Sequence, residues 1–252
     1  VGATSTLWRV GPQPAAGSAG AAAPGGTAHV DSDTGGVLFN NPASGTLHLV
    51  GADFATSVIN NSLMMYDRLF SVAKTMNSTA TEAVTGVPSR YQSTTATDQD
   101  YIGDNFGFIE VGGTALAATA HNWTTCTYRD DAGNDSQTLP SVTGNSSNIV
   151  NRLDQPTGTW FCPLATGDVG IMDLAQMQCS ATVATGAIDF VIGHPIAWMP
   201  CALANFTTPW DVTDRPGRLV RIFDDACLAF LEVLKSATTA TTYTGTLQFG
   251  WG

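Results

Sequence analysis

Charge is scarce in this chain. Asp, Glu, Lys and Arg make up only 12% of its 252 residues, about half the usual share, and the only lysines are Lys74 and Lys235. Exposed helix faces are normally coated with long charged side chains, so the shortage argues against a helical protein. What charge there is leans acidic, with 21 Asp plus Glu against 10 Lys plus Arg, a net charge of −11 and a pI near 4.4. No basic stripe is available for phosphates, which speaks against direct nucleic-acid binding, and an acidic surface is repelled by anionic membranes. Nor is there an apolar run of the roughly 18 residues that a membrane helix needs.

Chemical signatures are missing as well. The five cysteines, Cys126, Cys162, Cys179, Cys201 and Cys227, are odd in number and widely spaced, with no CxxC pair and no zinc-like Cys/His cluster. They read as small buried apolar side chains in a chain that folds in a reducing interior. Val1 to Arg9 lacks the layout of a secretory signal, although a cleaved signal would leave no trace. His29, His48, His121 and His194 show neither HxH nor HExxH spacing. His194, before Pro195 in an apolar run, reads as a core or edge histidine. There is no GxSxG elbow and no phosphate-binding glycine loop. Glutamate is limited to Glu82, Glu110 and Glu232, and no pair of carboxylates can be placed across a cleft from sequence. The expectation is a chain that is not an enzyme, with no catalytic residues, metal or cofactor.

The missing charge is replaced by Thr, Ser, Asn, Gly and Ala, and threonine suits the pleated surface of a sheet. From Thr46 onward, short apolar or alternating runs are separated by turn-rich stretches. Strands are expected at Thr46 to Val50, Ser62 to Phe70, Phe106 to Val111, Trp123 to Arg129, Ser136 to Val142, Thr159 to Leu164 and Gly186 to Met199. Asp130 to Asp135, reading DDAGND, should turn the fourth of these into the fifth as a hairpin. Pro195 implies an edge or bend in the last one. Cys227 to Leu234 and Tyr243 to Trp251 are expected to be strands pairing as a terminal hairpin, with short helical turns allowed around Ile149 to Gln155 and Gly167 to Gln178. The fold class is all-β, a sandwich or barrel.

Residues 1–45 differ from the 46–252 domain. Gly11 to Gly26, GPQPAAGSAGAAAPGG, holds three prolines and five glycines, so it reads as an extended N-terminal arm or linker. Trp8 and Arg9 precede it; Trp8 either folds back on its own domain or docks on a neighbour. Asp31 and Asp33 begin a run resembling a calcium loop, without the later bidentate Glu, and a plain turn is the simpler reading. Asn-x-Ser/Thr triplets such as Asn77-Ser-Thr79 are expected by chance in so Asn- and Thr-rich a chain. Among six tryptophans, Trp123, Trp160 and Trp198 fall in expected strands and read as core. Trp8, Trp210 and Trp251 lie near termini or loops, and with Arg9 are the candidate partner-binding residues.

Three stretches together resemble a known group: Leu63 to Leu69 (LMMYDRL), the hairpin Tyr128 to Pro140 (YRDDAGNDSQTLP), and Asp224 to Ala229 (DDACLA) followed by Thr244 to Leu247 (TGTL). The combination resembles tailed-bacteriophage capsid decoration, or cement, proteins over roughly Gly45 to Trp251. Gln137 stands where that pattern usually has an Arg. The resemblance implies a β-sandwich of jelly-roll type and a homo-oligomer, with a trimer favoured. It also implies that the major capsid protein is the partner and that the chain is made in the host cytoplasm and placed on the virion exterior. The alternatives are a carbohydrate-binding module or adhesin, including a tail or fibre component, and a shell-forming jelly-roll coat protein. Against the last stands the absence of a basic arm.

Overall fold

The structure is a computed structural model that describes residues 3–11, 14–93, 104–156, 159–212, 219–235 and 241–252. It is all-β. Three short strands lie near the N-terminus: β1 (Ala3–Thr6), β2 (Ala21–Ala22) and β3 (Thr27–Ala28). Two long strands follow, β4 (Leu47–Thr56) and β5 (Asn61–Thr75), then β6 (Glu82–Ala83) and β7 (Phe106–Val111). The middle of the chain contributes β8 (Asn122–Trp123), β9 (Thr127–Asp130), β10 (Gln137–Thr138), β11 (Val142–Thr143) and β12 (Ile171–Met177). The last part holds β13 (Ala187–Cys201), β14 (Thr208–Asp211), β15 (Arg221–Ile222), β16 (Leu228–Lys235) and β17 (Tyr243–Trp251).

The main sheet runs β1-β16-β5-β13-β7. β5 is its axis: β13 follows it from Asn61 to Thr75, β16 covers residues 62–67 on its other side, and β3 and β2 take over at residues 70–73. Packing explains why LMMYDRLF reads as an unbroken buried run. Leu63 and Met65 face a second sheet, in which β4 is flanked by β14 and β15 on one side and β17 on the other. Met64 and Tyr66 point the opposite way, into a layer with Phe106, Phe108, Val191 and Leu231. Further along, Phe70 and Val72 pack with Ile109 and Phe190 against Tyr128, Ile171 and Leu174, from a smaller sheet ordered β10-β9-β12-β6. A strand buried on both faces loses the polar alternation of a half-buried one.

The expected hairpin is present: Gln137 pairs with Tyr128 and Thr138 with Thr127. Its turn places Gly133 at φ 87° and Ser136 at φ 66°, while Asp130 accepts from the Asn134 backbone N–H at 2.7 Å. Pro195 lies beyond the stretch where β7 pairs with β13, which ends at Gly193, and a register shift follows it, so the proline costs no ladder bond on that side.

Three expectations are corrected. β16 and β17 do not form a hairpin. Leu228, Leu231 and Val233 are buried inside the main sheet, whereas β17, with one apolar flank, joins β4. Thr159 to Leu164 is irregular: Trp160 and Cys162 do go to different cores, but Pro163 has no N–H to donate, and the segment is held by Cys162 N–H to Gly107 O at 2.7 Å. Ile171 to Met177 is a strand, not a helical turn. All five cysteines are free and buried.

The described part of residues 1–45 is not detached. β1 pairs with β16, β2 and β3 with β5, and Trp8 is 2% exposed within the Tyr66–Phe108 layer. Removal of residues 1–26 therefore strips a sheet edge and opens a core layer; truncating Trp8 alone should cost about 3–5 kcal/mol. The truncated chain is expected to lose its cooperative urea transition, measurable by tryptophan fluorescence; a native-like transition would show that the segment is only a linker.

Candidate interaction surface

Most polar side chains with unusual chemistry are spent on closing the N-terminal segment over the main sheet. Arg68 (β5) reaches Glu110 (β7) at 2.7 Å, and both side chains are fully buried. The Trp8 ring lies over this guanidinium, 4.6 Å from its carbon to the ring centroid, and donates its indole N–H to Ser18 O at 2.7 Å. A Cβ on Gly17 would sit 2.3 Å from the Trp8 ring, so glycine is required there. Arg9 forms an ion pair with Asp189, which stands directly opposite Glu110 on β13. Burial, then the Glu110 charge, pushes the Asp189 carboxyl up to about 6, while Arg9 and Arg68 hold it down. Arg90 is shared between Asp67 at 3.1 Å and Asp225 at 2.9 Å, and donates to His29 O at 2.9 Å.

Three buried groups invite a catalytic or metal reading. His29, Asp33 and Cys227 offer ligand atoms within 4.8 Å of one another. Both His29 nitrogens are engaged, Nδ1 with Asp33 at 2.7 Å and Nε2 with Ser71 at 2.8 Å. Burial, with Arg68 and Arg90 nearby, drives the ring down to about 2, and burial pushes the Cys227 thiol up to about 12. Two guanidinium groups oppose a bound cation, so the cluster serves as a turn anchor at Asp33, where a calcium loop was the alternative to a turn. Asp154 accepts from His121 Nε2 at 2.8 Å, Trp123 Nε1 at 3.0 Å and Asn145 N at 2.8 Å. That hydrogen bond raises the His121 pKa, and its Nδ1 lies 2.9 Å from Thr119 O, which suits an imidazolium donating twice. His194 stacks on Tyr91 at 3.9 Å and donates from Nδ1 to Asn105 Oδ1 at 2.7 Å. Its Nε2 has no partner among the described residues, and burial lowers it to about 3.

Scans of protein-family models, curated proteins and solved structures find no match to this chain.

Part of the surface open to solvent is apolar. A groove of about 1000 Å³ runs between residues 32–40 and the β4–β17 sheet, walled by Leu38, Phe39, Phe54, Leu247, Phe249 and Trp251. Leu38 is 83% and Trp251 69% exposed, the two most exposed large hydrophobic side chains among the described residues. Phe39 and Phe249 meet at 5.9 Å and form its floor. A smaller pocket of about 400 Å³ has Trp160, Phe161 and Phe106 beside the carboxylates of Asp104 and Asp168. The Asp104 carboxyl is raised by partial burial and by Asp131.

The four sequence candidates separate. Trp8 is buried and Arg9 is nearly so, both engaged within the chain. Trp210, on β14, is half-buried against the β4 core. Trp251 alone of the four stands free at the groove, on the opposite side of β4 from Trp210. Sequence reading missed Leu38 and Phe249. The triplet Val37-Leu38-Phe39 between glycines and asparagines was the available signal, because a turn-rich segment rarely carries three large apolar residues in a row.

Breaking one partner of a buried ion pair is far costlier than replacing both. Arg68→Met should destabilise by about 3–5 kcal/mol, and the double variant Arg68→Met/Glu110→Leu should recover most of that loss in urea denaturation. His194, lowered in the folded state, contributes stability that is present above its ordinary pKa and lost as pH falls below it. Asp189, raised, works in the opposite direction between its ordinary pKa and about 6. Comparing wild type with His194→Gln cancels the Asp189 part. The stability difference should shift by about 1.4 kcal/mol per pH unit between pH values near 6 and 5, and a pH-independent difference would contradict the assignment.

Proposed function

We propose that this protein is a structural virion protein that binds the outer surface of a tailed-phage capsid and cements its subunit junctions as a homo-oligomer. The observation that carries the reading is the groove. A chain with little charge closes its buried ion pairs internally and leaves a long apolar trough, with Leu38 and Trp251 exposed at its rim. Exposed apolar surface of this kind marks a contact with another macromolecule. The capsid as that macromolecule rests on the resemblance of the LMMYDRL, YRDDAGNDSQTLP and DDACLA stretches, and the same reading takes the sandwich as a jelly roll. Cementing a shell asks for wide contact and a rigid scaffold, which the buried Arg68–Glu110 and Arg90–Asp67 pairs supply. The acidic surface suits a partner face that carries arginine or lysine.

A second reading is favoured by the smaller pocket. Aromatic rings beside carboxylates, as at Trp160, Phe161, Asp104 and Asp168, are also the chemistry that stacks and hydrogen-bonds a sugar. A glycan array separates the two, since specific glycan binding without binding to shells would favour a carbohydrate-binding module.

Electron microscopy of purified virions should place the chain on the shell exterior; its absence there would overturn the proposal. With isolated shells, Trp251→Ala and Leu38→Ser should each weaken attachment by about tenfold and leave the urea midpoint unchanged. Undiminished attachment would move the contact away from the groove.

A further inference from the structure

β17 is an edge strand with neither a charge nor a proline to guard it. One side runs along β4, from Tyr243 opposite Thr56 to Trp251 opposite Leu47. Along the other side no strand pairs with it among the described residues. Exposed edges are usually guarded by lysine, proline, an inward-pointing charge or short length. β17 is nine residues long, YTGTLQFGW, with no charge and no proline. Its one irregularity is the register shift between Gln248 and Phe249. In a chain of net charge −11, a second identical molecule is repelled from most of the surface. This uncharged strip is where it can approach.

The strand is also complementary to its own reverse. Set antiparallel about Leu247, Tyr243 meets Trp251, Thr244 meets Gly250, Gly245 meets Phe249 and Thr246 meets Gln248, while Leu247 meets itself. One aromatic pairs with another, and the remaining ring covers a glycine, which are favourable cross-strand combinations. Thr244, Gly245, Thr246, Gln248 and Trp251 are all exposed, whereas Tyr243 and Phe249 are half-buried and also contact Glu232 and Phe39 within the chain.

We propose that β17 pairs antiparallel with β17 of a second copy of this chain, across a twofold axis at Leu247, joining two β4 sheets into one continuous sheet. The contact is isologous, so it closes after two copies. That differs from the trimer implied by resemblance. The axis stands perpendicular to the sheet, which puts the two grooves side by side on one face. A dimer then offers two copies of the same apolar trough to whatever the groove binds, and two-point attachment gains avidity without any new contact. The inference rests on the edge alone and stands whether or not the groove meets a capsid.

Sedimentation velocity over a wide concentration range should show a reversible monomer–dimer equilibrium. Thr246→Asp/Gln248→Asp sets like charges opposite each other twice across the axis and should weaken dimerisation at least about tenfold. Thr246→Lys/Gln248→Asp sets opposite charges there and should keep the dimer. A wild-type chain that stays monomeric throughout, or that forms trimers, overturns the proposal. Equal behaviour of the two variants, whether both associate or both dissociate, overturns the register. Should either variant fail to fold, hydrogen exchange of the unaltered chain decides: β17 amides should gain protection as concentration rises, and concentration-independent exchange overturns the pairing.

Discussion

Arg68 and Glu110 sit two strands apart on the main sheet, with β13 between them, and neither has any route to water. Two opposite charges in that position tolerate little rearrangement, because losing either partner leaves the other uncompensated in an apolar surround. Other features of the sheet are arranged around the pair. Trp8 must cover the guanidinium, which fixes the N-terminal segment on the sheet, and Gly17 must be a glycine to let the ring lie there. Asp189 beside Glu110 would add a second negative charge, and Arg9 from the same segment answers it. A stretch with the composition of a linker is thus made part of the core by two side chains at its start.

The same economy shapes the surface. With four of its ten Lys and Arg residues committed to internal pairs, the chain has few cations left to decorate its exterior. Arg9, Arg68, Lys74 and Arg90 each face a carboxylate inside the fold. The β4–β17 sheet then carries its core outward uncapped, from buried Leu47 and Leu49 through half-buried Leu247 and Phe249 to exposed Trp251. An open trough and an unguarded strand edge are liabilities in a protein that works alone. Both would be put to use by the contacts proposed above.

Much of the fold was legible in the chain. The Phe106–Val111 strand was read with the bounds it has, and the chain turned at DDAGND as expected, with Gly133 and the following Ser136 taking the left-handed backbone. β5 was visible as an apolar run, and the edge position of Pro195, beyond the β7 pairing, followed from a missing donor. The failures share a cause. Pairing β16 with β17 assumed that neighbours in sequence pair in space, but β16 is apolar on both faces and is satisfied inside the main sheet, which packs on both of its faces. Reading residues 1–45 as an extended arm assumed that glycine and alanine have little to hold them, and the holding residues lie in β5, β13 and β16. Leu38 and Phe249 looked like ordinary apolar residues because exposure is a property of what fails to cover them.

By itself the sequence determined the class: low charge, abundant threonine and punctuated apolar runs leave sheet as the only way to bury this much hydrophobic surface. It also determined the turns, since those depend on residues a few positions apart. Which strands share a sheet, which charges meet and which apolar side chains stay uncovered were decided only by the tertiary structure. Each of those depends on contacts between residues far apart in the chain, as Arg9 and Asp189 are, and local pattern does not encode which of many apolar partners a strand will find.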